Sequence, residues 1–306
     1  MRRICDSDLA AIETRLRAHV DRLAGLIGPR HMGRPSSMEA AAGYIERELT
    51  ALGESVERQT YPVGDQQAVN LVVEHQGTRR PEQIVILGAH YDTVPETPGA
   101  DDNASAVAML IEVARLLNGV SARRTLRFVA FANEEPPHFY SQTMGSQVYA
   151  GQCRQRGEAI VGMLCLEMVG YYTDAPASQQ APPLIPRPLR WLLPRRGNFL
   201  AAVSNLPSAG LLWPFRRGFK RISRFRLFAI ALPQIVHEIR LSDHGPFWDL
   251  GFPAMMLTDT SFFRNPHYHR PTDTPDTLNY ASMAHVTVGV AGGVARIAGA
   301  AKMPGA

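Results

Sequence analysis

The strongest constraint on the fold of this chain is an alternation of strand and helix patterns through its middle. Short apolar runs typical of buried strands are separated by longer runs with helical periodicity. In chain order these patterns occupy residues 84–88 (strand), 105–118 (helix), 125–132 (strand), 144–156 (helix), 159–166 (strand) and 253–258 (strand). Strands that alternate with helices form βαβ units, in which helices cover both faces of a parallel sheet. The sequence therefore predicts an α/β fold, a three-layer sandwich with a mostly parallel central sheet.

The N-terminal part of the chain has a different pattern. Two amphipathic helices are predicted at residues 7–26 and 36–52. Residues 55–62 and 69–75 alternate apolar with polar side chains, which indicates strands in an antiparallel outer part of the sheet. A last helix, rich in alanine and glycine, is predicted at about 282–302.

The alternation is lost between residues 171 and 234, where the sequence is dense in proline and arginine. We interpret this segment as an excursion from the fold and not as another βα unit. The predicted organisation is therefore a single domain, residues 1–306, with an insertion at about 172–236.

Polar side chains follow the predicted strands. The candidates are His90, Asp92, Asp101, Asp102, Glu134, Glu135, Glu167, His267 and His269. Ligands of open parallel sheets bind beyond the carboxyl ends of the strands, so these side chains should converge there. Buried carboxylates would repel one another unless a cation lay among them. Imidazole and carboxylate ligands without thiolate are typical of catalytic zinc, and the number of carboxylates favours two ions with one bridging ligand.

Six motifs in a fixed order add a resemblance to this prediction. They are HYD at 90–92, GADDNAS at 99–105, NEE at 133–135, LEMVG at 166–170, SDH at 242–244 and NPHYHRPTDT at 265–274. The set resembles the co-catalytic zinc aminopeptidases, a family that includes secreted bacterial leucyl aminopeptidases and the peptidase-like domains of glutamate carboxypeptidase II. The resemblance implies a two-zinc exopeptidase that hydrolyses the N-terminal peptide bond of a peptide substrate.

The resemblance also implies a role for each candidate. The zinc ligands would be His90, Asp102 and Glu167 for one ion, and Asp102, Glu135 and His269 for the other. Asp102 would bridge the ions, Glu134 would be the general base, and Asp92 would orient the His90 ring. Asp101 is interpreted as a turn residue and His267 as a loop histidine.

Other functions compatible with these motifs are a glutaminyl cyclase-like transferase with one zinc ion and a non-catalytic binding module of the same fold. Dipeptidase or carboxypeptidase action is also open, because it depends on whether the pocket recognises an amine or a carboxylate. Asp243 and His244 either lie near the site, or Ser242 or Asp243 caps a helix.

The charge distribution has one unusual feature. The formal net charge of +4 is too small to indicate a nucleic-acid-binding protein. However, no acidic residue lies between Asp174 and Glu238, and arginines are concentrated at residues 187–226. We interpret this basic segment as a flap over the active site or a subunit contact, with nucleic-acid or membrane contact as the alternative.

Cysteine usage and hydropathy bear on the compartment. Cys5, Cys153 and Cys165 form no CxxC pair, so free thiols in a reducing compartment are expected. The N-terminal residues lack the apolar run of a signal peptide, and no apolar run reaches the 18 or so residues of a membrane span. The expected location is the cytoplasm, and the oligomeric state is left open.

Overall fold

The computed structural model describes residues 5–183, 190–191 and 193–300. The strands are β1 (Val56–Val63), β2 (Gln66–His75), β3 (Arg80–His90), β4 (Arg124–Phe131), β5 (Ala159–Glu167), β6 (Phe199–Asn205), β7 (Arg226–Leu232) and β8 (Ala254–Thr258). The α-helices are α1 (Asp6–Val20), α2 (Pro35–Thr50), α3 (Ala106–Leu117), α4 (Gly145–Gln155), α5 (Leu212–Ile222), α6 (His244–Asp249) and α7 (Tyr280–Ala298). A π-helical segment, Asp21–Ile27, continues α1.

The eight strands form one sheet in the order β1-β2-β4-β3-β5-β8-β6-β7. The central strands β4, β3, β5 and β8 are parallel, whereas β1, β2 and β4 pair antiparallel at one side. Helices α1, α2, α3, α5 and α7 pack on one face of the sheet, and α4 and α6 pack on the other. The predicted α/β class and the antiparallel outer strands are confirmed.

The expectation that residues 171–234 contain no βα unit is wrong. Strands β6 and β7 are parallel neighbours connected through α5, and β6 pairs antiparallel with β8, so this unit extends the sheet. The α5 sequence LWPFRRGFKRI has apolar residues at helical spacing, but it also contains proline and glycine and lies in a segment dense in proline and arginine, which is typical of irregular structure. The single-domain organisation stays a prediction, and Arg187 of the basic segment and residues 301–302 of the predicted last helix lie outside the described residues.

Helix α5 is held against the sheet by α7. A side chain added at Gly293 of α7 would overlap the ring of Phe215, and one added at Gly289 would overlap the ring of Phe219. These glycines therefore form a groove that accepts two aromatic rings of α5. Burial of these two rings against α7 stabilises α5 as a helix, more than the intrinsic helix propensity of its residues does.

Helix α7 is the one helix among the described residues that is long and apolar enough to span a membrane. In its most apolar 18-residue window, 78% of the residues are buried inside the protein. A core helix of a folded domain has these properties.

On the same face, the buried carboxylate of Glu112 on α3 pairs with basic side chains of α1 and of its own helix. Its Oε2 accepts a hydrogen bond of 2.9 Å from Arg15 Nε, and its Oε1 accepts one of 3.0 Å from Arg115 Nε. His19 Nε2 lies 3.5 Å from Oε1. Burial alone would raise the pKa of Glu112, but these basic groups lower it to about 2. The carboxylate is therefore charged in the folded protein at neutral pH.

Candidate active site

The predicted site residues lie together beyond the carboxyl ends of the parallel strands. His90 and Glu167 are the last residues of β3 and β5, and Glu134 and Glu135 follow the end of β4. His90 pairs in register with Phe131 of β4, and Glu167 pairs with Thr258 of β8, so the strand ends are level. Asp102 lies in the turn before α3, and His269 in the loop after β8. Parallel topology thus brings together residues that are far apart in the sequence.

These six side chains include two groups of potential metal ligands. His90 Nε2 lies 3.5 Å from Asp102 Oδ1 and 3.3 Å from Glu167 Oε2. His269 Nε2 lies 3.2 Å from Asp102 Oδ2 and 3.2 Å from Glu135 Oε1. The ligand atoms within each group are within 4.8 Å of one another. The two oxygens of Asp102 therefore face different histidines, and each group could hold an ion.

The electrostatics of the cluster favour a cation. Burial raises the pKa of Glu135 to about 8, and the charge of Asp102 adds to this effect. Burial lowers the pKa of His269, but hydrogen bonds to Asp102 and Glu135 outweigh it and raise that pKa to about 10. Both ring nitrogens of His90 and Oδ1 of Asp102 are buried without a hydrogen-bond partner in the described part of the chain. Imidazole nitrogens and carboxylate oxygens without hydrogen-bond partners are suitable ligand atoms for zinc.

Asp92 joins the two sides of the site. Its Oδ1 accepts a 3.0 Å hydrogen bond from the backbone N–H of Glu134, and its Oδ2 accepts one of 3.0 Å from that of Glu135. His90 Nδ1 lies 3.4 Å from Asp92 Oδ1. Asn133 has a φ of 59°, a left-handed conformation that asparagine tolerates, and it turns the chain at the end of β4. One buried carboxylate thus holds the loop that carries Glu134 and Glu135 and lies beside the His90 ring, where its predicted role is to orient that ring.

The SDH motif contributes to the site through its serine. Ser242 Oγ donates a 2.6 Å hydrogen bond to Glu167 Oε2. The side chain of Asp243 makes no capping hydrogen bond to α6 and is completely buried. Burial raises the pKa of Asp243 to about 7; the His90 charge opposes this shift, and the Glu167 charge adds to it. Ser242 therefore orients a predicted ligand, and the capping alternative does not apply to Asp243.

The interpretation of Asp101 as only a turn residue is wrong. Its Oδ1 accepts a 2.8 Å hydrogen bond from the backbone N–H of Gly170, and its Oδ2 accepts one of 2.7 Å from Asn265 Nδ2. Asp273 in turn accepts hydrogen bonds from the backbone N–H groups of Asp101 (2.9 Å) and Asp102 (3.1 Å). These bonds connect the loops after β5 and β8 to the turn that presents Asp102. Asp273 lies inside the NPHYHRPTDT motif, which is the one sequence signal for its role.

Two further residues support the site: Arg30 lies outside the six motifs and had no sequence signal, whereas Tyr268 lies inside the NPHYHRPTDT motif. The Arg30 guanidinium is buried and donates hydrogen bonds to the backbone carbonyls of Tyr91 (2.7 Å) and Gly99 (3.0 Å). The Arg30 side chain therefore connects the two ends of the loop between Asp92 and Asp102. The Tyr268 ring stacks on the His269 ring with centroids 3.8 Å apart, which restricts the orientation of that histidine.

A cavity of about 320 Å³ opens beside the cluster. Asp102, Glu134, Glu135, Glu167 and His269 form part of its wall. Most of the remaining wall is apolar and includes Val203, Phe228, Ile230, Leu232, Val236, Ile239, Leu241, Met256, Phe262 and Phe263. Because β6, β7 and the segment after β7 supply much of this wall, the unexpected βαβ unit shapes the space next to the metal ligands.

The site can be compared with known proteins. Residues 70–190 and 226–293 match Peptidase family M28. The chain is 36% identical over 276 residues to the uncharacterized protein YfbL of Escherichia coli, which covers 88% of this chain and 83% of that protein. It spans about half the length of the leucine aminopeptidases that it matches.

Two solved structures share the fold. BSAP, a zinc aminopeptidase from Bacillus subtilis, has a TM-score of 0.71 at 16% identity, over 91% of this chain and 94% of that chain. Fimbriiglobus ruber glutaminyl cyclase has a TM-score of 0.63 at 22% identity, over 93% of this chain and 95% of that chain. Likeness at these identities concerns the fold alone. Taken with the match to residues 70–190 and 226–293, the ligand cluster at the sheet edge shows that the chain belongs to Peptidase family M28, a family of co-catalytic zinc metallopeptidases.

Proposed function

We propose that this protein is a two-zinc aminopeptidase that hydrolyses the N-terminal peptide bond of peptides. The observation that carries the proposal is the position of Asp102, whose two carboxylate oxygens face His90 and His269 at 3.5 and 3.2 Å. A carboxylate shared by two ligand groups is the arrangement expected for a pair of ions bridged by one residue. Membership of a metallopeptidase family supports hydrolysis of a peptide bond.

The residues have separate tasks in the proposed reaction. The ligands would be His90, Asp102 and Glu167 for one ion, and Asp102, Glu135 and His269 for the other. When bound, the ions would supply Lewis-acid chemistry, lowering the pKa of a water molecule and polarising the scissile carbonyl. Glu134, which lines the cavity beside the ligands, accepts the proton of the attacking water and returns it to the leaving amine. Asp92 keeps His90 and Glu134 in their relative positions through the contacts described above.

The alternatives differ from the aminopeptidase in metal count and substrate. A glutaminyl cyclase-like transferase would use one zinc ion and release ammonia from N-terminal glutamine. A non-catalytic module would have lost ligands, whereas all five ligand positions are present here. Dipeptidase and carboxypeptidase action would require a free carboxylate on the substrate.

The test measures zinc per chain by mass spectrometry and hydrolysis of aminoacyl-aminomethylcoumarins with free and acetylated amines. We expect two zinc ions and cleavage only of substrates with a free amine. Glu134→Gln should keep both ions and lose turnover, with Glu96→Gln, at an exposed site, as the matched control. One ion with cyclisation of glutaminyl peptides would favour the transferase, and absence of metal binding would favour the non-catalytic module. Turnover retained by Glu134→Gln would remove Glu134 from the mechanism.

A further inference from the structure

The cavity contains one carboxylate that the proposed mechanism does not use. Glu238 lies in the short 3₁₀ turn His237–Arg240 and lines the cavity. Its Oε2 is buried and has no hydrogen-bond partner among the described residues. Of the described residues that line the cavity, Glu238 is the only acidic one besides the proposed ligands and base, and none is lysine or arginine.

The strand register shows how the cavity extends away from the metal ligands. Thr258 pairs with Glu167 on one side and with Ala201 on the other, and Ala201 pairs with Phe228 of β7. Leu232 ends β7 four residues further on, which is roughly 13 Å along the strand. Because the cavity wall includes Thr258 and Leu232, the cavity is elongated along the sheet.

The segment that carries Glu238 begins after the far end of β7 and returns to the metal ligands, since Ser242, four residues after Glu238, donates a hydrogen bond to Glu167. Val236, Ile239 and Leu241 of this segment also line the cavity. A substrate residue bound at the metal ligands can therefore place its side chain between the apolar walls of β6 and β7 and the segment that contains Glu238.

The chemistry of the walls selects the kind of chain. A carboxylate oxygen without a partner in an apolar cavity is costly, and an incoming cation would satisfy it with a charge-assisted hydrogen bond. Lysine and arginine combine an aliphatic stem, which packs on apolar walls, with a terminal cation. An acidic side chain would be repelled by Glu238, and a purely aliphatic one would leave the carboxylate unpaired.

We infer that the cavity binds the side chain of the substrate's N-terminal residue and prefers lysine or arginine, with Glu238 as the specificity-determining residue. This inference rests on the proposed aminopeptidase function. It assigns a substrate class to the site and leaves the roles of the metal ligands and of Glu134 as described.

The experiment compares two substrates that share the same unbranched four-carbon stem, lysyl-aminomethylcoumarin and norleucyl-aminomethylcoumarin, with the zinc-loaded protein. We expect kcat/KM for the lysyl substrate to exceed that for the norleucyl substrate by about tenfold or more. Glu238→Gln should lower the ratio of the two values by about tenfold, and Glu238→Asp, which keeps the charge but shortens its reach, should lower it less. Glu82→Gln, at an exposed position of β3, should leave the ratio unchanged.

A binding measurement separates failure of this inference from failure of the proposed function. Isothermal titration calorimetry of the zinc-loaded protein should give a lower Kd for L-lysinamide than for L-norleucinamide. Glu238→Gln should abolish this difference in Kd. If neither coumarin is hydrolysed but this binding difference is found, the aminopeptidase proposal fails and the cavity assignment stands. Equal binding of the two amides by the wild-type protein overturns the inference. It is also overturned if Glu238→Gln weakens both amides equally, because Glu238 would then bind the α-amine.

Discussion

Replacement of Asp102 by asparagine should remove both zinc ions, whereas replacement of His269 by alanine should remove only one. Asparagine keeps the shape of the side chain but not its charge. In the structure, Asp102 Oδ1 faces His90 and Oδ2 faces His269 at 3.5 and 3.2 Å. Each ion would therefore lose a charged ligand in Asp102→Asn. His269 belongs to one ligand group, so His269→Ala leaves the group of His90, Asp102 and Glu167 complete.

The size of the effect can be worked out from linkage. An ion that binds only the folded state stabilises it by about 2.7 kcal/mol when its free concentration is 100 times its Kd. Two independent sites would contribute about 5 kcal/mol. For a chain of this size, 1 kcal/mol corresponds to roughly 2 °C in Tm. Zinc should therefore raise the Tm of the wild-type protein by about 10 °C, that of His269→Ala by about 5 °C, and that of Asp102→Asn by a small amount only.

The assay is differential scanning calorimetry of metal-free and zinc-saturated protein, together with zinc content by mass spectrometry after gel filtration. Asp65→Asn, at an exposed turn, provides the control with the same chemical change and should behave as the wild type. If Asp102→Asn retains one zinc ion with the wild-type affinity, the carboxylate serves one site and does not bridge two. Loss of both ions by a folded His269→Ala variant would likewise contradict two separate ligand groups.

Three further predictions concern catalysis and stability. Glu134→Gln should reduce kcat by about 10²- to 10⁴-fold while zinc content is unchanged, as measured with an aminoacyl-coumarin substrate. For Glu112, burial raises the pKa but the basic side chains of α1 and α3 lower it to about 2, below its ordinary value of 4.5. Its charge therefore stabilises the fold above pH 4.5, and this contribution is lost as the pH falls toward 2. Glu112→Gln should cost about 3 kcal/mol in urea unfolding at pH 7 and less at pH 3, and an equal cost at both would contradict the assignment. Gly293→Ala places a methyl group against a ring of α5 and should destabilise the fold by about 1–3 kcal/mol. Gly151→Ala, in open space on α4, should stabilise the fold by up to about 1 kcal/mol. Thermal unfolding of the two variants at similar temperatures would argue against close packing of α5 on α7.

The central sheet was predictable because its strands carry a strong local signal. Strands β3, β4, β5 and β8 are buried on both faces, and their continuous apolar runs are distinct from the helices between them. The segment from β6 to β7 carries local signals as well, since β7 contains the apolar run LFAIAL and the apolar residues of α5 recur at helical spacing. The proline and arginine around these patterns are typical of irregular segments, and only the pairing of β6 with β8 shows that the segment extends the sheet.

The candidate ligands were predictable for a related reason. Each follows an apolar strand or lies in a short motif, and a charged residue at such a position is expensive without a partner. The contacts by which other residues hold the loops of the site together gave no comparable signal. Arg30 satisfies carbonyl groups of a loop more than sixty residues away, and Asp101 accepts hydrogen bonds from two other loops. Their roles depend on which loops meet, which local patterns do not encode.

The sequence by itself determined the fold class, the order of the motifs and the chemical identity of the candidate ligands, because these follow from local hydrophobic patterns and from residue types. The tertiary structure alone decided that Asp102 presents its two oxygens to two histidines, and that Asp273 and Asp92 hold the loops in place. It also decided that the β6–α5–β7 unit and the segment of Glu238 enclose the cavity. The physical reason is that strand order and loop contacts arise from packing between distant segments, whose free energy is not contained in any one of them.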